Sequence, residues 1–215
     1  MKLVFASNNA HKLQEVRAIM PAGIDVLSLR EVGFDQEIDE TGLTLEENSA
    51  IKARAVWDFV SHQSSAVRHQ IDGVFADDTG LEIDALHGEP GVFTARWAER
   101  ETGVHLPEMA TYAANRQKAL RELAHQSNRG AQFRTVVTLI LQPSAISSQP
   151  SVIQVDGVVR GRMTTEEKGE GGFGYDPLFM PEGYEKTFAE LPSEVKNSIS
   201  HRARAMQALV KMLNE

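Results

Sequence analysis

The chain has no cysteine among its 215 residues, which excludes a disulfide framework and a thiolate metal site. Any metal ion must be held by oxygen or imidazole, and a reducing compartment, the cytoplasm, is the expected location. Long apolar runs are missing as well. No stretch approaches the roughly 20 residues that span a bilayer, and the opening run Met1 to Ala6 is too short for a signal h-region. No membrane partner is expected. Basic charge is also short, since 22 Lys and Arg stand against 30 Asp and Glu, a formal net charge of −8. Nucleic-acid backbones are held by counterion release against a basic surface, so nucleic acid is not an expected partner. An anionic small ligand would need a local cationic cluster. What remains, with 41% apolar and 24% charged residues, is the composition of an ordinary globular chain, read as one domain over residues 1–215.

Periodicity predicts a buried strand at Leu3 to Ala6, a tight turn Ser7-Asn8-Asn9, and a helix with Leu13, Val16 and Ile19/Met20 on one face. Thr44-Leu45-Glu46-Glu47 has capping-box spacing and announces a second helix, with Ile51, Ala55, Val56, Phe59 and Val60 at helical intervals. Val74 to Ala76 reads as a strand ending at Asp77-Asp78-Thr79-Gly80, and Leu81 to Ala85 as another, so two carboxylates are expected between two strands. A turn follows at Gly88 to Gly91, then a helix over Pro107 to Leu123 with Met109, Tyr112, Leu120 and Leu123 near one stripe. Phe133 to Leu141 is a strand, 143–150 a polar loop, and Val152 to Arg162 a hairpin about Asp156-Gly157. A last helix starts near Ser200, with Ala205, Leu209 and Met212/Leu213 inward. Strands alternating with helices early and a hairpin late imply an α/β class with a mixed sheet.

Four places carry potential chemistry. Lys12 falls in a first helical turn, where a cation opposes the helix dipole. A phosphate would offset that by gathering turn amides, the Ser7 hydroxyl, Asn8, Asn9 and the ammonium; a solvated lysine behind an Asn cap is the plainer alternative. Adjacent Asp77 and Asp78 repel unless cations or hydrogen bonds neutralise them, and alternation along a strand sends them to opposite faces. One of them is then expected to do chemistry and the other to be structural. Mg²⁺ takes one or two protein carboxylates, so a second acid from Asp39, Glu40 or Glu47 would complete a site. Gly169 to Asp176 holds four glycines around Phe173 and Tyr175, which suits close backbone approach and stacking on a base. Lys196, His201 and Arg202 repeat the Lys12 anomaly at a helix start.

Ser7-Asn8-Asn9-Ala10-His11-Lys12, Glu40-Thr41-Gly42-Leu43-Thr44 with Glu47-Asn48, Ala76 to Leu81, Gly171 to Asp176 and Ser200-His201-Arg202, in this order, resemble the inosine triphosphate pyrophosphatase family. Its bacterial members are called dITP/XTP pyrophosphatases. The resemblance implies an elongated α/β fold of two lobes with a central twisted mixed sheet, an active-site cleft between the lobes, and a homodimer. It implies a Mg²⁺-dependent cleavage of non-canonical purine triphosphates between the α and β phosphates. Ser7, Asn8, Asn9, Ala10, His11 and Lys12 would hold the triphosphate; Asp78 would be proton acceptor and metal ligand, with Asp39 or Glu40 as the second carboxylate. Thr79 would touch substrate, and Phe173, Gly174, Tyr175, Asp176, Lys196, His201 and Arg202 would serve the base and sugar. The usual bacterial start is Thr/Ser-Gly-Asn, where this chain has Ser7-Asn8-Asn9. Two other readings use many of the same residues: a purine nucleotide sensor without hydrolysis, and a pyrophosphatase for modified pyrimidine triphosphates.

Overall fold

A computed structural model describes residues 1–64, 70–143 and 149–214. Its strands are β1 (Lys2–Phe5), β2 (Asp25–Leu27), β3 (Gly73–Ile83), β4 (Pro90–Gly91), β5 (Gly130–Leu141), β6 (Ser151–Met163) and β7 (Phe179–Pro181). Its helices are α1 (Ala10–Ile19), α2 (Leu45–Ser61), α3 (Trp97–Thr102), α4 (Glu108–Glu122), α5 (Ser193–Ile199) and α6 (His201–Leu213). Hydrogen-bonded strand neighbours run β2, β1, β3, β5, β6, β7, with β4 against β3. β1 is parallel to β2 and β3, whereas β4 on β3 and β7 on β6 are antiparallel, so the sheet is mixed as expected. The backbone forms two compact units, Met1–Asp78 with Thr135–Gly157 and Arg202–Glu215, and Thr79–Arg134 with Val158–His201.

In the first unit the strands are covered on both faces, and the period of two sorts their side chains. Val4, Ala6, Val74, Ala76 and Ile140 pack against Ala53, Val56 and Val60 of α2. Leu3, Phe5, Phe75, Val137 and Leu139 pack against Val16 of α1 and Ala205, Met206 and Leu209 of α6. Helix α2 starts as the sequence predicts: Thr44 accepts from the Glu47 N–H, and Glu47 reaches back to the Thr44 N–H, a complete capping box. The second unit has its own core, in which Leu81, Ile83, Trp97, Leu123, Phe133, Tyr175, Phe179 and Phe188 are buried.

Several local expectations are corrected. β3 is one 11-residue strand through Asp77-Asp78-Thr79-Gly80, because strands on either side pair its backbone and each carboxylate has a cation beside it. β6 runs 13 residues straight through Asp156-Gly157, since ladder pairing outweighs a two-residue turn signal. Pro90 and Gly91 are a short strand, paired with Glu82 and Leu81. Met109 and Met212 are exposed, at 73% and 44%. Leu123 is buried and Leu120 packs on the same core as expected, and the residues buried within α4 are Asn115, Lys118 and Ala119; the Asn115 amide accepts from the Ala98 N–H and donates to the Ala95 carbonyl. Lys196 lies in the last turn of α5, so its charge agrees with the dipole. The polar loop read at 143–150 lies largely outside the described residues.

Candidate active site

The alternation that builds the first unit also decides where its acids point. Asp77 continues the face of Phe75, toward α1 and α6, and Asp78 continues the face of Ala76, toward α2. Lys12 of α1 reaches Asp77 Oδ1 at 3.0 Å, and Arg202, in the first turn of α6, donates from Nε to Asp77 Oδ2 at 3.0 Å. A second donor of Arg202, Nη1, is bonded to Glu15. Arg202 is 1% exposed and Asp77 fully buried. Burial alone would raise the Asp77 pKa, but Lys12 and Arg202 outweigh it and hold the carboxyl well below the usual carboxylate range. Asp77 is therefore ionised and satisfied at both oxygens.

Asp78 has different company. Lys52 of α2 donates to its Oδ1 at 3.1 Å and lies 3.2 Å from Glu40 Oε2. Asp78 Oδ2 is buried and has no hydrogen-bond partner among the described residues. Burial pushes the Asp78 pKa up; Lys52 and Lys12 pull against it, Glu40 adds repulsion, and the net direction is upward. A carboxylate that is costly to ionise and has an idle oxygen is what a proton acceptor or metal ligand looks like before its partner arrives.

Glu40 is held there by the start of α2. The Gly42 N–H donates to Asn48 Oδ1 at 2.8 Å, and the Leu43 N–H to Glu47 Oε2 at 2.7 Å. A Cβ at Gly42 would stand 2.6 Å from both Asn48 Oδ1 and Glu47 Cβ, so only glycine fits. Of the three acids considered for the second metal position, Glu47 is engaged in the capping box and Asp39 is an exposed loop residue. Glu40 shares an ammonium with Asp78. Mg²⁺ usually takes one or two protein carboxylates and fills its shell with phosphate and water, so this donor pair fits it. Among the described residues no group of three or more Asp, Glu, His or Cys side chains is placed to hold a metal ion.

The segment from Ser7 into the first turn of α1 at Lys12 is half-exposed to exposed. Asn9 is the N-cap, its Oδ1 accepting from the Lys12 N–H at 3.0 Å, and its own N–H reaches Ser7 Oγ at 3.3 Å. Asn8, Ala10 and His11 stand outward at the positive end of the helix dipole.

In the second unit the glycine-rich segment folds around Asp176. Asp176 Oδ2 accepts from the Phe173 N–H at 2.8 Å and from Lys196 Nζ at 2.6 Å. The ammonium also lies 5.0 Å from the Phe173 ring centroid and 5.8 Å from that of Phe188. Gly172 has φ +71°, and a Cβ there would come within 2.0 Å of Asp176 Oδ2. Arg116 of α4 donates to the Gly174 carbonyl at 3.0 Å and pairs with Glu167 at 2.9 Å, which secures the loop from outside. Phe173 is half-buried, with the Tyr112 ring 6.1 Å away. Tyr175 is a core residue, 3% exposed, whose hydroxyl donates to the Thr94 carbonyl, so the stacking surface expected of two aromatics falls to Phe173 alone. His201 is 5% exposed and stacks on Phe133 at 4.7 Å. Thr79 is half-buried.

The sequence profile of the Ham1 family matches residues 3–212. The chain belongs to the Ham1 family. This Ham1-family chain is 42% identical over 213 residues to a dITP/XTP pyrophosphatase of Flavobacterium johnsoniae, covering 99% of this chain and 98% of that one. It is 41% identical over 213 residues to that of Bacillus subtilis, covering 98% and 96%. The Staphylococcus aureus Ham1 protein matches it with a TM-score of 0.77 at 34% identity, over 100% of this chain and 98% of that chain. The mixed α/β fold expected from the sequence is the Ham1 fold.

Lys52 is the residue that sequence reasoning left out of the site. The signal was present: Leu45, Asn48, Ser49, Lys52, Ala53, Val56 and Val60 form the buried stripe of α2, and a lysine on such a stripe needs an acidic partner. Arg116 and Tyr112 had no comparable signal, because their role depends on which loop α4 meets.

Proposed function

We propose that this Ham1-family chain hydrolyses non-canonical purine nucleoside triphosphates, ITP, dITP, XTP and dXTP, to the monophosphate and pyrophosphate, and so cleanses the nucleotide pool. One observation carries the reading: of two adjacent carboxylates, Asp77 is neutralised by Lys12 and Arg202, while Asp78 keeps a buried oxygen open beside Lys52 and Glu40. Such asymmetry separates a structural acid from a reactive one. The names of the relatives, dITP/XTP pyrophosphatase, supply the substrate class.

In this reading the triphosphate lies against Ser7 to Lys12, where turn amides and a helix N-terminus favour anions. Asp78 orients a water and takes its proton as the oxygen attacks the α phosphorus. The bond from that phosphorus to the α–β bridging oxygen breaks, and pyrophosphate leaves with the bond's electrons. Mg²⁺, held by Asp78 and Glu40, would neutralise charge gathering on the phosphates. Lys12 adds a fixed cation, and most of the acceleration comes from positioning and electrostatics. The base and sugar are assigned to Thr79, Phe173 to Asp176, Lys196, His201 and Arg202, with the Phe173 ring as the stacking surface. Hypoxanthine and xanthine offer a 6-keto acceptor where adenine offers an amino donor, so protein donors there would favour the former. The proposed setting is a homodimer in the cytoplasm.

The test is a product assay with purified chain on dITP, XTP, dGTP, dATP and dUTP, with and without Mg²⁺. Pyrophosphate release from dITP and XTP, dependent on Mg²⁺ and at least tenfold faster than from dATP or dUTP, is the expected result. Release of orthophosphate, a preference for dUTP, or binding without turnover would overturn the reading.

A further inference from the structure

Lys52 occupies an unusual position for a lysine on a buried helical stripe. Its ammonium sits 3.1 Å from Asp78 Oδ1 and 3.2 Å from Glu40 Oε2, the two carboxylates proposed to take the divalent ion. Its side chain is 10% exposed. Without a cation there, Asp78 and Glu40 would repel each other. Glu40 is the more exposed partner, on a loop with a third of its side chain exposed, two residues before the Gly42 N–H that donates to Asn48.

We infer that Lys52 is a resident stand-in for the divalent cation, holding Glu40 and Asp78 together until the metal displaces its ammonium. The inference rests on the proposed metal site and adds to it an internal competitor. A divalent ion such as Mg²⁺ binds carboxylate oxygens at about 2.0–2.1 Å. An ammonium held between Glu40 Oε2 and Asp78 Oδ1 occupies the space between the two carboxylates, and by its charge it opposes a second cation there even though Asp78 Oδ2 is open. Metal loading therefore includes the cost of moving Lys52, and the protein by itself binds metal more weakly than its carboxylates would allow. Lys12 differs in kind, because its ammonium is bonded to Asp77, which is not one of the two carboxylates proposed for the metal.

The experiment measures Mn²⁺ affinity in the absence of nucleotide, by the electron paramagnetic resonance signal of the unbound ion, for wild type, Lys52→Met, Lys52→Arg, Lys12→Met, Glu40→Gln and Asp78→Asn. Thermal unfolding checks that each is folded, and Lys52→Gln replaces the Met variant if that one fails to fold. Lys52→Met should tighten Mn²⁺ binding tenfold or more, equivalent to about 1.4 kcal/mol. Lys52→Arg, which keeps the charge, should stay within about threefold of wild type, and Lys12→Met should gain far less than Lys52→Met. Unchanged or weaker binding in Lys52→Met overturns the inference, as does an equal gain in Lys12→Met, which would mark a general charge effect. Should Glu40→Gln and Asp78→Asn bind Mn²⁺ as wild type does, the metal-site reading itself fails and the inference with it.

Discussion

At Asp77, removing the charge would take a partner from a fully buried arginine and from a partly exposed lysine. Lys12 and Arg202 both bond to this carboxylate, and Arg202 is almost completely enclosed. Breaking one side of a buried ion cluster costs about 3–5 kcal/mol, because the remaining charges lose their compensation. Asp77→Asn should therefore lower the unfolding free energy by about 3 kcal/mol or more in a urea titration; a loss below about 1 kcal/mol would show that Asp77 does not hold the cluster. At this scale the sequence was partly legible. The adjacent acids announced themselves by their repulsion, and strand alternation separated their roles. Which cation each would meet was not readable, because Lys12, Lys52 and Arg202 reach β3 from three helices distant in sequence.

The helices and loops carry the site by making few conformations available. Gly172, with its positive φ, lets Asp176 turn back onto the Phe173 N–H and onto Lys196. Gly172→Ala would add both backbone strain and a methyl against Asp176 Oδ2. Losing one charge-assisted contact of this kind is worth about tenfold in binding. The expected outcome is a KM for dITP raised about tenfold with kcat within about threefold of wild type; an unchanged KM would remove this loop from the base side. Element starts were legible where local chemistry dominates, as in the capping box of α2 and the Asn9 cap of α1. Element ends were less so. The Asp77-Asp78-Thr79-Gly80 and Asp156-Gly157 segments look like turns locally, yet both continue as strands because neighbours across the sheet satisfy their backbone.

For the whole molecule, the early strand-helix alternation gave the α/β class, whereas the mixed sheet was read with help from a late hairpin about Asp156-Gly157 that β6 does not form; the sheet is mixed through β4 on β3 and β7 on β6 instead. The order of strands was not legible, since β5 lies next to β3 and the late strands β6 and β7 continue outward from it. The division of labour between Asp77 and Asp78 makes the two separable by experiment: one should matter to stability, the other to turnover. The most direct measurement is kcat/KM for dITP with Mg²⁺, in wild type and Asp78→Asn, beside a thermal unfolding curve for each. A fall of a hundredfold or more is expected, the usual range for removing a general base, with the variant still folded cooperatively. Turnover within severalfold of wild type would contradict the assignment of the chemistry to Asp78.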